Sequence, residues 1–317
     1  MRGMDRHGII WRDDALDSGI SDVQIAKAIN DNRIEVVARG AYAPTSDLPA
    51  DPGEAFRERY RRRSLAAAAG LARTGDEVRA VSHQSAAALL GLGLLMPNRR
   101  AVHITTGRNS GGNAFPSRVI HASRLADDDV VDLGGLRVTG PARTAVDIAL
   151  TETDFARILA VFDSALRMGV SREELESRLS GPRRGVARAR YVLAFADGLS
   201  DNPGESWGRA QMIEAEFPIP ILQAVHHLED GHRAICDYDW EGRVVGEFDG
   251  HGKYLREELR SGEDVADVVL REKERENQLR DLDLGVVRWG WERLKQRTLI
   301  PYLSKRLPIF GIALPSA

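Results

Sequence analysis

Cysteine is all but missing. Cys236 is the single one in 317 residues, so neither an internal disulfide nor a cysteine-based zinc site can form. Lysine is scarce as well: of 44 basic residues only Lys27, Lys253, Lys273, Lys295 and Lys305 are lysine, and the other 39 are arginine. Arginine is the better fork for phosphate and guanine, but a GC-rich genome favours its codons too, so the bias is not evidence of function. A positive net charge is also lacking. The formal charge is −3, so any nucleic-acid binding has to come from local patches. No window approaches about 18 uninterrupted apolar residues, which argues against a membrane span. The first residues lack the apolar stretch of a secretory signal. A reducing cytoplasm is the expected compartment.

The hydrophobic share of 43% and the charged share of 29% are those of an ordinary globular chain. At roughly 100–200 residues per domain the length calls for two or three domains. Residues 44–53 carry three prolines and can be neither helix nor central strand. Residues 180–185 and 198–204 are further breaks rich in glycine and proline. The expected division is 1–48, 49–150, a helical connector over 151–196, and 197–317, in an α/β (α+β, multidomain) chain.

The first division reads as helices followed by a hairpin. A short helix from Asp13 to Ser18 closes at Gly19. Ser21 is the expected N-cap of the next helix, with Gln24 in the capping-box position. Val23, Ala26, Ile29 and Ile34 give it an apolar stripe. Ile34-Glu35-Val36-Val37 and Ala41-Tyr42-Ala43 then read as two strands about Arg39-Gly40. This is the order of a winged helix-turn-helix. Gly19-Ile20-Ser21, Ile25, Arg33-Ile34, Val36-Val37 and Arg39-Gly40-Ala41-Tyr42 resemble the N-terminal domain of the AbiEi-type antitoxin family. The resemblance implies a recognition helix from Asp22 to Asn30 set against double-stranded DNA. Gln24, Lys27, Asn30 and Asp31 would reach bases, and Arg33 and Arg39 phosphates. Residues 1–50 hold six basic and eight acidic side chains, a weak field for a DNA reader.

In the second division Arg57, Arg59, Arg61, Arg62 and Arg63 crowd the start of an alanine-rich helix, as a phosphate contact or a solvated face. Val102-His103-Ile104-Thr105, Val119-Ile120-His121 and Leu136-Arg137-Val138-Thr139 alternate as strands. Pro141 opens a helix. Ser82-His83-Gln84-Ser85-Ala86, the strand at His103, and Thr139-Gly140-Pro141-Ala142-Arg143-Thr144 with Asp147 are similar to the segment that follows the winged helix in the same family. Nothing in the spacing of His83 and His121 marks them as an acid–base pair. Arg183, Arg184, Arg188 and Arg190 form a basic stripe that is either a helix face or a backbone clamp.

The last division holds the acids. Ile235-Cys236-Asp237-Tyr238-Asp239 and Arg243-Val244-Val245-Gly246-Glu247-Phe248-Asp249 read as a hairpin about Trp240-Glu241-Gly242. A three-residue loop would set Asp239 against Arg243 and Asp237 against Val245, with Glu247 and Asp249 on the face of Asp237. With Glu205 from the preceding helix they form a hard-oxygen set suited to Mg²⁺ or Mn²⁺. Pro203-Gly204-Glu205-Ser206, Asp237, Glu247-Phe248-Asp249-Gly250, the polar helix Glu272-Lys273-Glu274-Arg275-Glu276-Asn277 with Leu279, and Gly285-Val286-Val287-Arg288-Trp289 resemble the PD-(D/E)XK nuclease fold in its very-short-patch-repair-like form. That resemblance implies a restriction-endonuclease-like mixed sheet flanked by helices. It makes Glu205, Asp237 and Glu247 metal ligands and Asp249 part of the catalytic set of a DNA endonuclease. Asp249 stands where the motif carries lysine; Lys253 or Lys273 would supply that charge, and His251 a proton. The alternative is a non-catalytic antitoxin-like repressor on a degenerate nuclease fold, with a cognate toxin as a further partner. No membrane partner is expected, and the oligomeric state is open.

Overall fold

The computed structural model describes residues 4–250 and 265–315. It is a mixed α/β protein with three sheets, of three, four and six strands. The chain divides into two compact units: Met1–Thr151 with Val170–Arg183, and Glu152–Gly169 with Arg184–Ala317.

In the first unit, β1 (Ile10–Trp11) leads into α1 (Arg12–Asp17) and α2 (Asp22–Asn30), then β2 (Ile34–Ala38) and β3 (Ala41–Pro44). The sheet order is β1-β3-β2, antiparallel throughout. Ser21 and Gln24 close a reciprocal capping box on α2. The buried stripe of α2 differs from the expected one. Ile25 and Ala28 are buried with Ile10, Ala15 and Ile34, and Ile29 packs beside them. Val23 is 78% exposed, and Ala26 also faces solvent. The i, i+3, i+4 set starting at Ile25 holds the larger side chains on the inner face, and this fixes the rotation of the helix.

Helix α3 (Pro52–Arg73) follows, capped by Asp51, whose side chain accepts from the Glu54 amide. Its small residues allow close packing: Ala66 enters the core of Ile9, Val37, Ala41 and Ala43, while Ala68 and Ala69 enter that of Val81, Ile104 and Leu136. The arginine run is largely consumed within the chain. Arg59 pairs with Glu35 and Arg61 with Glu58 at 2.8 Å each, and Arg63 donates to the carbonyl of Arg99 at 2.6 Å.

β4 (Ala80–Val81), α4 (His83–Leu90), β5 (Val102–Gly107), β6 (Asn113–Phe115), β7 (Arg118–Arg124), β8 (Val130–Asp132), β9 (Arg137–Thr139) and α5 (Pro141–Thr151) complete the main body. The sheet order is β6-β7-β5-β4-β9-β8, mixed because β5–β7 and β4–β9 run parallel. Arg143 knits its edge. It donates to Asp147 one turn on at 2.9 Å, to Asp129 at 2.6 Å and to Ser123 at 2.7 Å. Helix α6 (Phe155–Arg167) belongs to the second unit, and α7 (Arg172–Arg178) returns to the first. There Arg178 pairs with Asp129 as well.

The second unit adds α8 (Val186–Leu193), α9 (Pro203–Glu214), β10 (Ile221–His227), β11 (Arg233–Trp240), β12 (Val244–Asp249), α10 (Val265–Asp281), β13 (Gly285–Gly290), α11 (Trp291–Lys295) and α12 (Leu299–Arg306). Strand order is β10-β11-β12-β13; the first two pairings are antiparallel and the last is parallel. Leu228, Ala234, Cys236, Val245, Leu279 and Leu284 form the core between sheet and α10. Among the described residues no helix is long and apolar enough to cross a membrane.

A buried ion pair ties α6 to α9. Arg209 grips both oxygens of Asp163 at 2.7 and 2.8 Å, and the Asp197 amide donates to the same carboxylate at 2.8 Å. Removing one partner strands a charge in a low-dielectric interior. Asp163→Ala is therefore expected to cost about 3–5 kcal/mol, read from the urea midpoint of the second unit. A loss under about 1 kcal/mol, the worth of a surface pair, would show that water reaches the pair.

Candidate functional site

The acidic region of the second unit begins at the start of α9. Pro203 occupies the first turn, and the Asn202 side chain accepts from the amides of Gly204 and Glu205 at 2.9 and 3.1 Å. The helix lies so close to the sheet that a Cβ on Gly204 would run into the Phe248 ring, and one on Gly208 would meet the Tyr238 hydroxyl at 3.0 Å. Tyr238 donates to the carbonyl of Glu205 at 2.7 Å. Glycine thus brings the first turn onto the strands, and Glu205 goes under with it, at 4% exposure. Its carboxylate accepts from the Asp201 amide at 2.7 Å and from Asn202 Nδ2 at 2.5 Å. Burial, and after it the charge of Asp237, push the Glu205 carboxyl up to about 8.

The hairpin register differs from the expected one. Glu241 and Gly242 both take left-handed backbone, at φ 58° and 64°, and the Arg243 amide closes the turn on the Trp240 carbonyl at 3.0 Å. The Asp239 carboxylate caps it by accepting from Gly242 N at 2.6 Å. The loop is Glu241-Gly242-Arg243, so Trp240 pairs with Val244 and Asp239 with Val245 rather than with Arg243. The shift is two residues, so parity survives. Continued by one step, the register sets Asp237 opposite Glu247. Beyond the Tyr238–Gly246 pair the Phe248 amide donates to the Asp237 carboxylate at 2.8 Å, and Gln223 approaches it at 3.4 Å. Burial raises the Asp237 carboxyl too.

Glu247 is 7% exposed and held between two guanidinium groups. Arg275 from α10 meets one oxygen at 2.7 Å, and Arg288 meets the other at 2.7 Å. Parallel pairing of β12 with β13 makes Arg288 its direct neighbour. Arg288 also reaches Glu276 at 3.3 Å and Asp249 at 3.9 Å. Asp249 is exposed at the strand end, on an open groove of about 390 Å³ lined by Arg288, Trp289, Glu292, Arg293, Gln296 and Thr298. Lys273 is exposed on α10. Lys253 and His251 lie outside the described residues.

Asp237 and Glu247 are thus brought together across one strand pair, with Glu205 coupled to Asp237. The donors are chemically hard, as a Mg²⁺ or Mn²⁺ site requires. Their arrangement does not fit such an ion. Among the described residues no three of these carboxylates bring oxygens within 4.8 Å of one another, and two arginines already balance Glu247. Arg275 and Arg288 are the functional side chains that sequence reasoning passed over. The available signal was a lone arginine inside the apolar strand Val286-Val287-Arg288-Trp289.

In the first unit Gln24, Lys27, Asn30 and Asp31 line the exposed side and end of α2, while Arg33 and Arg39 flank β2, also exposed. Arg12 neutralises Asp22 at 2.6 Å, and Arg33 approaches Asp31 at 3.4 Å. Of the basic stripe, Arg188 is spent on the carbonyl of Glu152.

Residues 79–195 match the AbiEi antitoxin C-terminal domain. Two curated Mycobacterium tuberculosis proteins, the uncharacterized proteins Rv2248 (strain H37Rv) and MT2308 (strain CDC 1551), are each 35% identical over 138 residues, 40% of this chain and 51% of theirs. The chain spans about half the length of these relatives. A crystal structure of the M. tuberculosis Rv2827c protein aligns over 69% of this chain and 79% of its own, at 20% identity and a TM-score of 0.37, a likeness too weak to define the fold.

The Glu205 shift has a readable consequence. Its folded value of about 8 lies above the ordinary 4.5. The stability it contributes is therefore full below pH 4.5 and is lost as pH rises through 8. Glu205→Gln, which keeps the shape without the charge, is expected to flatten the fall in melting temperature between pH 5 and 8. A variant whose melting curve tracks the parent across that range would show that Glu205 stays ionised in the fold.

Proposed function

We propose that the protein is a DNA-binding regulator of antitoxin type, in which a winged helix-turn-helix places the chain on duplex DNA and the nuclease-like C-terminal unit makes contacts rather than cuts. The exposed row on α2 carries this reading. Val23, Gln24, Lys27 and Asn30 stand on the side of the helix turned away from the core, and the capping box holds that helix at a fixed phase. Such a row has the chemistry to read a major groove: the Asn30 amide for adenine, an ammonium for guanine or phosphate, and an apolar methyl surface for thymine, with the Gln24 amide oxygen held by Ser21 in the capping box at 2.8 Å. Arg39 at the hairpin tip and Arg33 at its base are the backbone contacts. Arg12 and Arg33 offset Asp22 and Asp31, so the acidic excess of the first residues is blunted where the helix would meet DNA. For the segment at 79–195 the antitoxin likeness makes a cognate toxin the partner of this reading.

A rival reading rests on one observation. Glu205 and Asp237 are two desolvated acids with raised proton affinity, an environment that a divalent cation would relieve. On that reading Glu205, Asp237 and Glu247 hold Mg²⁺ or Mn²⁺, Asp249 with Lys253 or Lys273 completes a PD-(D/E)XK site, and the protein is a deoxyribonuclease.

Fluorescence anisotropy on duplex DNA across a salt series, run beside plasmid nicking with Mg²⁺ or Mn²⁺, separates the two. The regulator is expected to bind with a salt-dependent constant and leave the plasmid intact. Lys27→Glu is expected to weaken binding at least about tenfold, and Arg39→Ala to lower the salt slope by about 1. Nicking that disappears in both Asp237→Ala and Glu247→Ala would establish the nuclease instead. The absence of any salt-sensitive duplex affinity would remove the DNA reading altogether.

A further inference from the structure

Three of the eight histidines meet at one place in the first unit, far apart in sequence. β4 ends beside β5, the Ser82 amide donates to the His103 carbonyl at 3.0 Å, and the next residue is His83. β5 and β7 run parallel with Thr105 opposite His121. By the two-residue period of a strand, His103 shares the face of Thr105 and therefore of His121. His103 Nδ1 lies 2.9 Å from His121 Nε2. The His83 ring stacks on His121 with centroids 3.6 Å apart and planes 13° apart. One ring nitrogen from each of the three lies within 4.8 Å of the other two.

Several features single out this cluster. His83 is 4% exposed and sits at φ 50°, a left-handed backbone that is uncommon outside glycine. That backbone turns the ring toward the two strands. Burial, followed for His103 by the neighbouring ring, holds His103 and His121 at about 4, and His83 goes well below its ordinary value for the same first reason. All three are therefore neutral at physiological pH, the form that ligates metal. Among the described residues no hydrogen-bond donor reaches the buried Asp147 Oδ2, which lies 4.0 Å from His83 Nδ1, on the side from which a carboxylate orients a ligating imidazole. Ser82 Oγ lies 3.0 Å from the same nitrogen, which leaves the other nitrogen of His83 for an ion. His103 and His121 are half-buried, so the cluster has an open side.

We propose that His83, His103 and His121 form a binding site for a divalent transition-metal ion of the zinc class. Neutral imidazole nitrogens suit Zn²⁺ and its neighbours and do not suit Mg²⁺ or Ca²⁺. In the bound form His103 and His121 exchange their mutual hydrogen bond for bonds to the ion. Their nitrogens move from 2.9 Å to the separation of about 3.3 Å set by two Zn–N bonds of about 2.05 Å in a tetrahedron. Because the rings now lie nearly parallel, coordination also turns them so that their lone pairs converge. Three protein ligands leave the fourth position to water or to an atom supplied by a partner.

The test uses the full, untagged chain, stripped with chelator and dialysed. Zn²⁺ binding is followed by calorimetry, and Co²⁺ by its visible absorption. The variants are His121→Phe, which keeps a ring stacked on His83 but removes the ligand, and His103→Gln. The parent is expected to bind one ion per chain at micromolar or tighter affinity, with the tetrahedral Co²⁺ spectrum and a higher melting temperature when loaded. Both variants are expected to lose at least about tenfold in affinity, while a near-ultraviolet circular dichroism spectrum like that of the metal-free parent shows that they fold. If one variant fails to fold, the other decides. Uptake by the parent no greater than by the variants would assign the ion to other histidines and overturn the proposal, as would no uptake at all.

Discussion

Glu247 is sealed between Arg275 and Arg288, and what the second unit can do follows from that balance. A carboxylate at 7% exposure has lost most of its hydration, and only a matching positive charge makes its burial tolerable. The fold supplies two, one from the strand paired with β12 and one from the helix that covers it. Arg288 also links Glu247 to Glu276 and Asp249. Glu247 is thus counterbalanced by two guanidinium groups, and arginine stays charged at any ordinary pH. Among the described residues Glu205 has no such ion pair and is held instead by amides, with burial raising its affinity for a proton.

The first unit handles buried charge by the same means. Arg143 and Arg178 share Asp129, and Arg143 also holds Asp147. This network pins α5 and α7 against the strand edge. It explains why an arginine and an aspartate stand one helical turn apart in the stretch that opens at Pro141. One oxygen of Asp147 is left over, and it points toward His83.

Much of this architecture is legible in the sequence. The capping box at Ser21 and Gln24 marks the start of α2, and Asn202-Pro203-Gly204 marks the start of α9, whose close approach to the sheet only the structure shows. Parity alone puts Asp237 and Glu247 on one face, and a register error of two residues leaves that result intact. What escaped sequence reading depends on contacts between distant segments. Val23 looks like a core residue by composition, yet the rotation of α2 is decided by Ile25 and Ala28 meeting Ile10 and Ile34. The arginines around Glu247 come from β13 and α10, and no local pattern announces a partner some thirty or forty residues away. The histidines are the same case: His83, His103 and His121 are ordinary in their own segments and become a cluster only through the pairing of β5 with β4 and β7.

The two candidate cation sites differ in a way that charge counting makes plain. A divalent ion approaching Glu247 has to displace guanidinium groups already at hydrogen-bond distance, gaining little and leaving two half-buried cations without their shared carboxylate. Among the described residues no ion pair puts a cation on the three rings, and the nitrogens are neutral. Arg143, whose charge acts on His83, is already committed to Asp129, Asp147 and Ser123. An ion there meets three neutral lone pairs, with the Asp147 carboxylate behind the His83 ring. The carboxylates drew attention in the sequence because acids in strands are unusual. In the folded chain the charge of Glu247 is already answered by two arginines, and the three histidines proposed to take up a metal have individual surroundings in the sequence that are unexceptional.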